Sequence, residues 1–379
     1  MPPSSTGWLT RTLLGTLTTG ALAVTAPAAA DEPSCARFRQ DPLVYFYERR
    51  QADAVRCSEA ILESPDEPLA VRVQTLQALA CIYSALPEPA LAHAALLQIL
   101  SLDPRADLDR PERLPPPVVR AFYALRDSAL LASGGASDPR LDVRTIAIGE
   151  IENASVVPHR GIDFDKFARG MTHLVMSDLF AVSDLRIVDR QRLNALRKEI
   201  EMTQNDAIFD PGTRVAFGRL TGAQSFLFGT LFHEGGGKLR IDLRVVNTST
   251  SDVLVAGSIT GKIDDSKDVL EMEEKLVLET IAPKLDEMLR SAGAGKADAT
   301  GALEPFLESK KKRFESGGAS YIDFLTRSGE AVLAEDRGDL AAAARAWNEV
   351  LALDPENGFA LSRARALAAY AGYGTREAE

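Results

Sequence analysis

Histidine and cysteine are scarce in this chain of 379 residues, with four and three copies, and their spacing removes most metal and thiol chemistry. None of His93, His159, His173 and His233 sits in H-E-x-x-H or in an i, i+4 pair with a second histidine, and no C-x-x-C occurs. Zinc sites and redox dithiols are therefore not expected. The glycine-rich phosphate loops and the G-x-S-x-G nucleophile elbow are missing as well, so no cofactor or metal is called for. Long apolar runs are absent, and the longest candidate, LLGTLTTGALAV, is too short to cross a bilayer. Positive charge is in deficit, the formal net charge being −11. That balance argues against nucleic acid or an anionic lipid surface as the main partner, because both need a positive patch.

What is present begins with residues 1–30, which read as a secretory signal. One positive charge (Arg11) precedes the short apolar run, and TAPAAA supplies a small-residue cleavage site between Ala30 and Asp31. The expected location is the periplasm. A bacterial lipoprotein signal would put cysteine directly after a small-residue tripeptide, whereas Cys35 follows Asp-Glu-Pro-Ser, so lipidation is not expected. In an oxidising compartment Cys35, Cys57 and Cys81 permit one disulfide and leave one thiol over, with all three pairings open.

Three segments follow, giving an α+β multidomain chain. Residues 31–135 carry a helical pattern broken at Pro65, Pro87, Pro104 and Pro115 to Pro117. Within it, Ala80, Tyr83, Ala92, Leu96, Ile99 and Pro104 fall where a tetratricopeptide repeat has small, aromatic, small, bulky, apolar and closing proline residues. Small residues let two antiparallel helices approach, and proline ends the second. A second, degenerate copy lies in residues 304–379, with Gly338 at the turn, Ala343 and Trp347 on the packing face, and Pro355 as terminator. Between them, residues 140–292 read as strand, helix, short strand, two helices, three strands and a long closing helix over 266–289. Gly235-Gly236-Gly237 and a Thr/Ser turn join the last three strands, and residues 293–303 have linker composition.

This central segment resembles the CsgG family, the curli-assembly domain whose relatives include LpoB-type activators of peptidoglycan synthases. The likeness rests on TIAIGEIEN, IVDRQRLNALRKEIEMTQND, RLTGAQSFLFGTL and LRIDLRVVNTSTSDVLVAGSITG, taken in order. It implies a central α/β sandwich, a mixed sheet with packed helices, flanked by the tetratricopeptide-like segments. Each stretch also has its own physical reading. Ile241, Leu243 and Val245 alternate with Arg240, Asp242 and Arg244, which buries one sheet face and solvates the other. Curli channels insert long membrane-spanning hairpins and carry a lipidated N-terminal cysteine. Here only the six residues 233–238 lie between Phe232 and Leu239, too few for such strands.

Catalytic readings are weak. His233-Glu234 beside three glycines reads as a polar hairpin turn. Asp163 and Asp165 sit at a loop-to-helix junction, where aspartate caps the helix and complements its dipole. The one basic run, ESKKKRF over 308–314, reads as a solvated helix face. The expected function is that of an exported, non-catalytic protein-binding or assembly factor of the bacterial cell envelope. Protein partners, homo-oligomerisation and peripheral outer-membrane association follow from the resemblance. Two alternatives stand beside it: an oligomeric ring in an outer-membrane secretion assembly, and an envelope hydrolase using Asp163 and His159.

Overall fold

In a computed structural model the described residues are 32–86, 88–104, 106–132, 145–182, 186–188, 225–247, 253–283, 299–317 and 320–373. Ala30 and Asp31, the helices expected over 190–202 and 211–220, and residues 293–298 of the expected linker lie outside them. The chain divides into two compact units, residues 1–110 with 368–379, and residues 111–367. These units do not follow the segments marked by composition.

The first unit holds helices α1 (Glu32–Gln40), α2 (Leu43–Tyr47), α3 (Gln51–Glu63), α4 (Leu69–Ala85) and α5 (Pro89–Leu102). Proline at the first position of α5 costs no hydrogen bond, since the amide it lacks has no partner inside a helix. Helices α4 and α5 pack as a hairpin over fully or nearly buried Ala80, Tyr83, Ala92, Leu96 and Ile99. Pro104 follows the C-cap of α5, Asp103. Cys35 of α1 is bridged to Cys57 of α3, while Cys81 is free and buried in α4. Tyr373, at the chain's return, stacks on Phe46 with ring centroids 5.6 Å apart and donates its hydroxyl to the Phe46 carbonyl at 3.2 Å.

The second unit is built on one sheet. Helix α6 (Pro116–Ala132) precedes β1 (Thr145–Asn153), α7 (Phe164–Val182), β2 (Arg186–Val188), β3 (Ser225–Gly235), β4 (Lys238–Asn247) and β5 (Val253–Lys262). The strand order is β2-β1-β3-β4-β5. β1 is parallel to both neighbours, and β3, β4 and β5 form an antiparallel meander. The β3–β4 turn needs positive φ at Gly235, Gly236 and Gly237 (97°, 60° and 74°), which glycine adopts without a Cβ clash. β1 shifts register between Ile148 and Ile151. The Ile151 N–H displaced there donates to Thr172 Oγ1 at 2.8 Å, so α7 satisfies the irregular strand.

After β5, α8 (Ser266–Glu274) is capped by Asp265, whose side chain accepts from the Asp268 N–H, and it continues as a π-helix over Lys275–Ile281. Regular α-helix was expected throughout. Gly257 and Gly261 of β5 admit Thr280 and Met272 where a Cβ would stand. Helices α9 (Ala299–Gly317), α10 (Tyr321–Arg337), α11 (Leu340–Leu353) and α12 (Gly358–Tyr373) complete the chain. α9 already includes residues 299–303, assigned to the linker from composition.

The C-terminal helices are not a free-standing arm. α10 packs along α7 through reciprocal glycines: a Cβ on Gly170 would overlap the Leu325 carbonyl, and one on Gly329 would overlap that of Lys166. Trp347 of α11 and Phe359 of α12 enclose His173 of α7, with centroids 5.2 and 4.3 Å from its ring. One hydrophobic core therefore runs from Ile146 and Ile241 of the sheet to Trp347 and Leu367. The α10–α11 turn is set by Gly338, left-handed at φ 77°, and by Asp339, whose carboxylate accepts from the Ala342 N–H at 2.9 Å. Ala343 and Trp347 are buried at this hairpin, and Pro355 follows the C-cap of α11.

Candidate functional site

Among the described residues, β5 is the last strand of the sheet. Among the described residues β5 pairs only with β4, and its outer rim begins with Val253 and Leu254, 56% and 37% exposed. Buried Leu239, Ile241, Leu243 and Val245 of β4 alternate with exposed Lys238, Arg240 and Arg244 and half-buried Asp242. Register places Ala256, Ser258 and Thr260 of β5 opposite Arg244, Asp242 and Arg240, and all three are exposed. Exposed cations at Lys238, Arg240, Arg244 and Lys262 thus surround carboxylates at Asp242 and Glu234. Arg240 Nε holds Asp242 Oδ1 at 2.9 Å, and Lys238 Nζ holds Glu234 Oε2 at 2.7 Å. Partial burial opposes ionisation of Asp242. A hydrogen bond from Ser258, with the hydrogen bond and charge of Arg240 and the charge of Arg244, more than offsets it and lowers the carboxyl pKa. On a chain of net charge −11, this is a locally basic strip beside a strand with one neighbour among the described residues, and strand edges of this kind accept another strand.

At the sheet's other end, the loop from β1 to α7 exposes Val156 (92%) and Val157 (43%). His233 Nδ1 lies 2.8 Å from the Val157 carbonyl, and the His159 and His233 rings are 4.9 Å apart. His159 Nε2 is 3.9 Å from Asp264. Asp163 serves elsewhere, its Oδ1 accepting from the Lys166 N–H at 3.2 Å as a cap on α7. Asp165 Oδ1 accepts from the Asn153 amide at 2.8 Å. Among the described residues no cluster of three or more metal-ligating side chains occurs, and no helix is long and apolar enough to cross a membrane.

The basic run over 308–314 departs from its expected place on the surface. Lys310 has only 4% of its side chain exposed. Its Nζ donates to Asp178 Oδ2 at 2.6 Å and Glu273 Oε1 at 2.7 Å. Tyr321 Oη donates to the second oxygen of Glu273. One residue from each of α7, α8, α9 and α10 thus meets in a buried network. Burial, reinforced by Glu273, holds Asp178 well above the ordinary carboxylate range although Lys310 pulls the other way. For Lys310, burial favours the neutral amine, but the two carboxylates outweigh it and raise its pKa. Helical geometry explains the misplacement: Lys310 and Phe314, four apart, share the inward face, while Lys312 turns outward.

Comparison with known proteins places the sheet in context. Residues 131–254 match the family model described as peptidoglycan-synthase activator LpoB. That span reaches from α6 to the start of β5. Among solved structures, the LpoB C-terminal domain from Salmonella enterica is 12% identical, covering 36% of this chain and 94% of that one at a TM-score of 0.27. Lipoprotein GNA1162 from Neisseria meningitidis is 16% identical, with the same coverages and a TM-score of 0.29. No curated protein matches the chain.

Proposed function

We propose that this protein is an exported, non-catalytic regulator of the bacterial cell envelope that acts by docking a protein partner. In this reading the partner is a peptidoglycan synthase, and the protein serves as an LpoB-type activator. The observation that carries the reading is the family match over residues 131–254, which takes in β1 to β4 and the first two residues of β5. The outer edge of β5 supplies a docking surface: an extended acidic segment of the partner adds beside β5, its carboxylates drawn to the cations Lys238, Arg240, Arg244 and Lys262 on the same sheet. The α4–α5 and α10–α11 hairpins resemble tetratricopeptide units and offer further helical surface. Export rests on residues 1–30, with a soluble, non-lipidated mature chain beginning at Asp31.

In-cell crosslinking followed by purification tests the reading. The wild-type protein should retain a peptidoglycan synthase, and Ala256→Glu should not, because a carboxylate beside Arg244 on β5 repels the partner's acidic segment. As an exposed surface change, it should alter stability by no more than about 0.5 kcal/mol. Retention that is equal for both proteins would remove β5 from the interface. Absence of any synthase in the wild-type eluate would remove the partner class. A second reading, self-assembly into a ring through the same edge, is supported by the edge alone. It predicts a fixed multimer by light scattering that Ala256→Lys converts to monomer.

A further inference from the structure

Of the chain's four histidines, two meet. His159, in the loop between β1 and α7, and His233, near the end of β3, have ring centroids 4.9 Å apart. His233 is 4% exposed. Phe164 stacks on its ring with centroids 5.1 Å apart, and its Nδ1 lies 2.8 Å from the Val157 carbonyl. A carbonyl only accepts, so the hydrogen sits on Nδ1 and the lone pair of the neutral ring is on Nε2. That Nε2 is buried without a hydrogen bond, and so is the Nε2 of His159. Asp264, 3.9 Å from His159 Nε2, is beyond hydrogen-bond reach and is engaged by Arg160 at 3.2 Å. Two facing rings whose buried nitrogens lack partners are costly and uncommon, and an ion or a water is the ordinary explanation. The other two histidines are placed differently: His93 is exposed on α5, and His173 is enclosed by Trp347 and Phe359.

We infer that His159 and His233 bind one borderline transition-metal ion of the Zn²⁺ class through their Nε2 atoms. Imidazole nitrogen suits zinc, copper and nickel, whereas magnesium and calcium take oxygen ligands. Two imidazoles on one tetrahedral ion, with metal–nitrogen bonds of about 2.0–2.1 Å, have ring centroids roughly 5 Å apart, and these two stand at 4.9 Å. The hydrogen bond from His233 Nδ1 to a backbone carbonyl is a common outer-shell partner of a metal-bound histidine, and it fixes the tautomer that ligation needs. Asp264 keeps its pairing with Arg160 and stays outside the shell, in keeping with the absence of a three-ligand cluster among the described residues. Water fills the remaining positions from the open side of these loops, where a Cβ on Gly161, Gly235 or Gly236 would meet nothing within 4 Å. Such an open site binds more weakly than a closed four-ligand site. Its effect is to tie the β1–α7 loop, which exposes Val156 and Val157, to the end of β3. The inference does not depend on the identity of the partner at β5.

Calorimetric titration of the full mature chain with Zn²⁺ tests it, with Mg²⁺ as the control. Zn²⁺ should saturate at one site per chain, and Mg²⁺ should not bind. His159→Gln should weaken Zn²⁺ binding by about a hundredfold or more, because loss of an outer-shell partner alone costs about 10–100-fold. His93→Gln, at an exposed position in the other unit, should leave it unchanged. A second readout needs no change at the buried ring. In a nuclear magnetic resonance spectrum of the histidine ring nitrogens, Zn²⁺ should shift His159 and His233 and leave His93 and His173 in place. Absence of saturable Zn²⁺ binding, equal binding of Mg²⁺, affinity that survives His159→Gln or falls with His93→Gln, or unshifted His159 and His233 signals would overturn the inference.

Discussion

Replacing Gly170 by alanine should loosen the C-terminal helices from the sheet domain. A Cβ at Gly170 would lie 2.7 Å from the Leu325 carbonyl carbon, and one at Gly329 would lie 2.6 Å from that of Lys166 and 3.0 Å from the Gly170 nitrogen. Ordinary contacts between carbons are about 3.5–4.0 Å, so either methyl drives α7 and α10 apart by roughly 1 Å. The obstacles are helix backbone and cannot rotate away. Against this, alanine is favoured over glycine in a helix interior by up to about 1 kcal/mol. Overpacking costs about 1–3 kcal/mol and sometimes more, and rigid backbone on both sides puts these sites at the upper end. A net loss of about 2 kcal/mol is expected for each variant. The two should not add, since helices parted by the first methyl already make room for the second. Urea unfolding followed through Trp347 measures this. The chain's only other tryptophan is Trp8, within the expected signal. Gly358→Ala is the control, because a Cβ there meets nothing within 4 Å. If Gly170→Ala proves as stable as Gly358→Ala, the close helix approach is wrong.

Other expectations follow from the buried groups. Lys310→Met leaves Asp178 and Glu273 buried without their cation and should destabilise the second unit by about 3–5 kcal/mol, again read from Trp347. Asp178 binds its proton more tightly folded than unfolded. Its contribution to stability is full below pH about 4, the unfolded value, and declines as pH rises from there toward the folded pKa; Asp178→Asn should abolish that decline in a pH series of urea midpoints. Reducing the Cys35–Cys57 bridge, whose partners are 22 residues apart, should cost the first unit about 3 kcal/mol on loop entropy, measured by the shift of its thermal transition. Burial raises the Cys81 thiol and removes it from solvent, so it should resist alkylation in the native protein and react after unfolding.

Local signals in the sequence account for much of the sheet. Period-two alternation marked β4, and the triple glycine marked its turn, because both are set by neighbours in sequence. The α10–α11 turn was legible for the same reason, through Gly338 and Asp339. What was not legible depends on distant segments. Nothing local in ESKKKRF says that Lys310 meets Asp178 and Glu273, which lie 132 and 37 residues away. Gly170 and Gly329 are unremarkable inside their helices until the helices are laid together. Composition placed a boundary before residue 304, but packing against His173 and α7 joins the helices that follow to the sheet. That β5 has one neighbour among the described residues was invisible for a related reason: a strand's sequence does not state how many neighbours it has.

The central claim is that this chain activates a peptidoglycan synthase by binding it. Its most direct measurement is the rate of glycan polymerisation and crosslinking by a purified synthase of the same organism, with increasing amounts of the mature protein. The account predicts a saturable rise in rate with wild-type protein and little or none with Ala256→Glu. A rate unchanged for every synthase of that organism, at concentrations where the protein is shown to be folded, would contradict it.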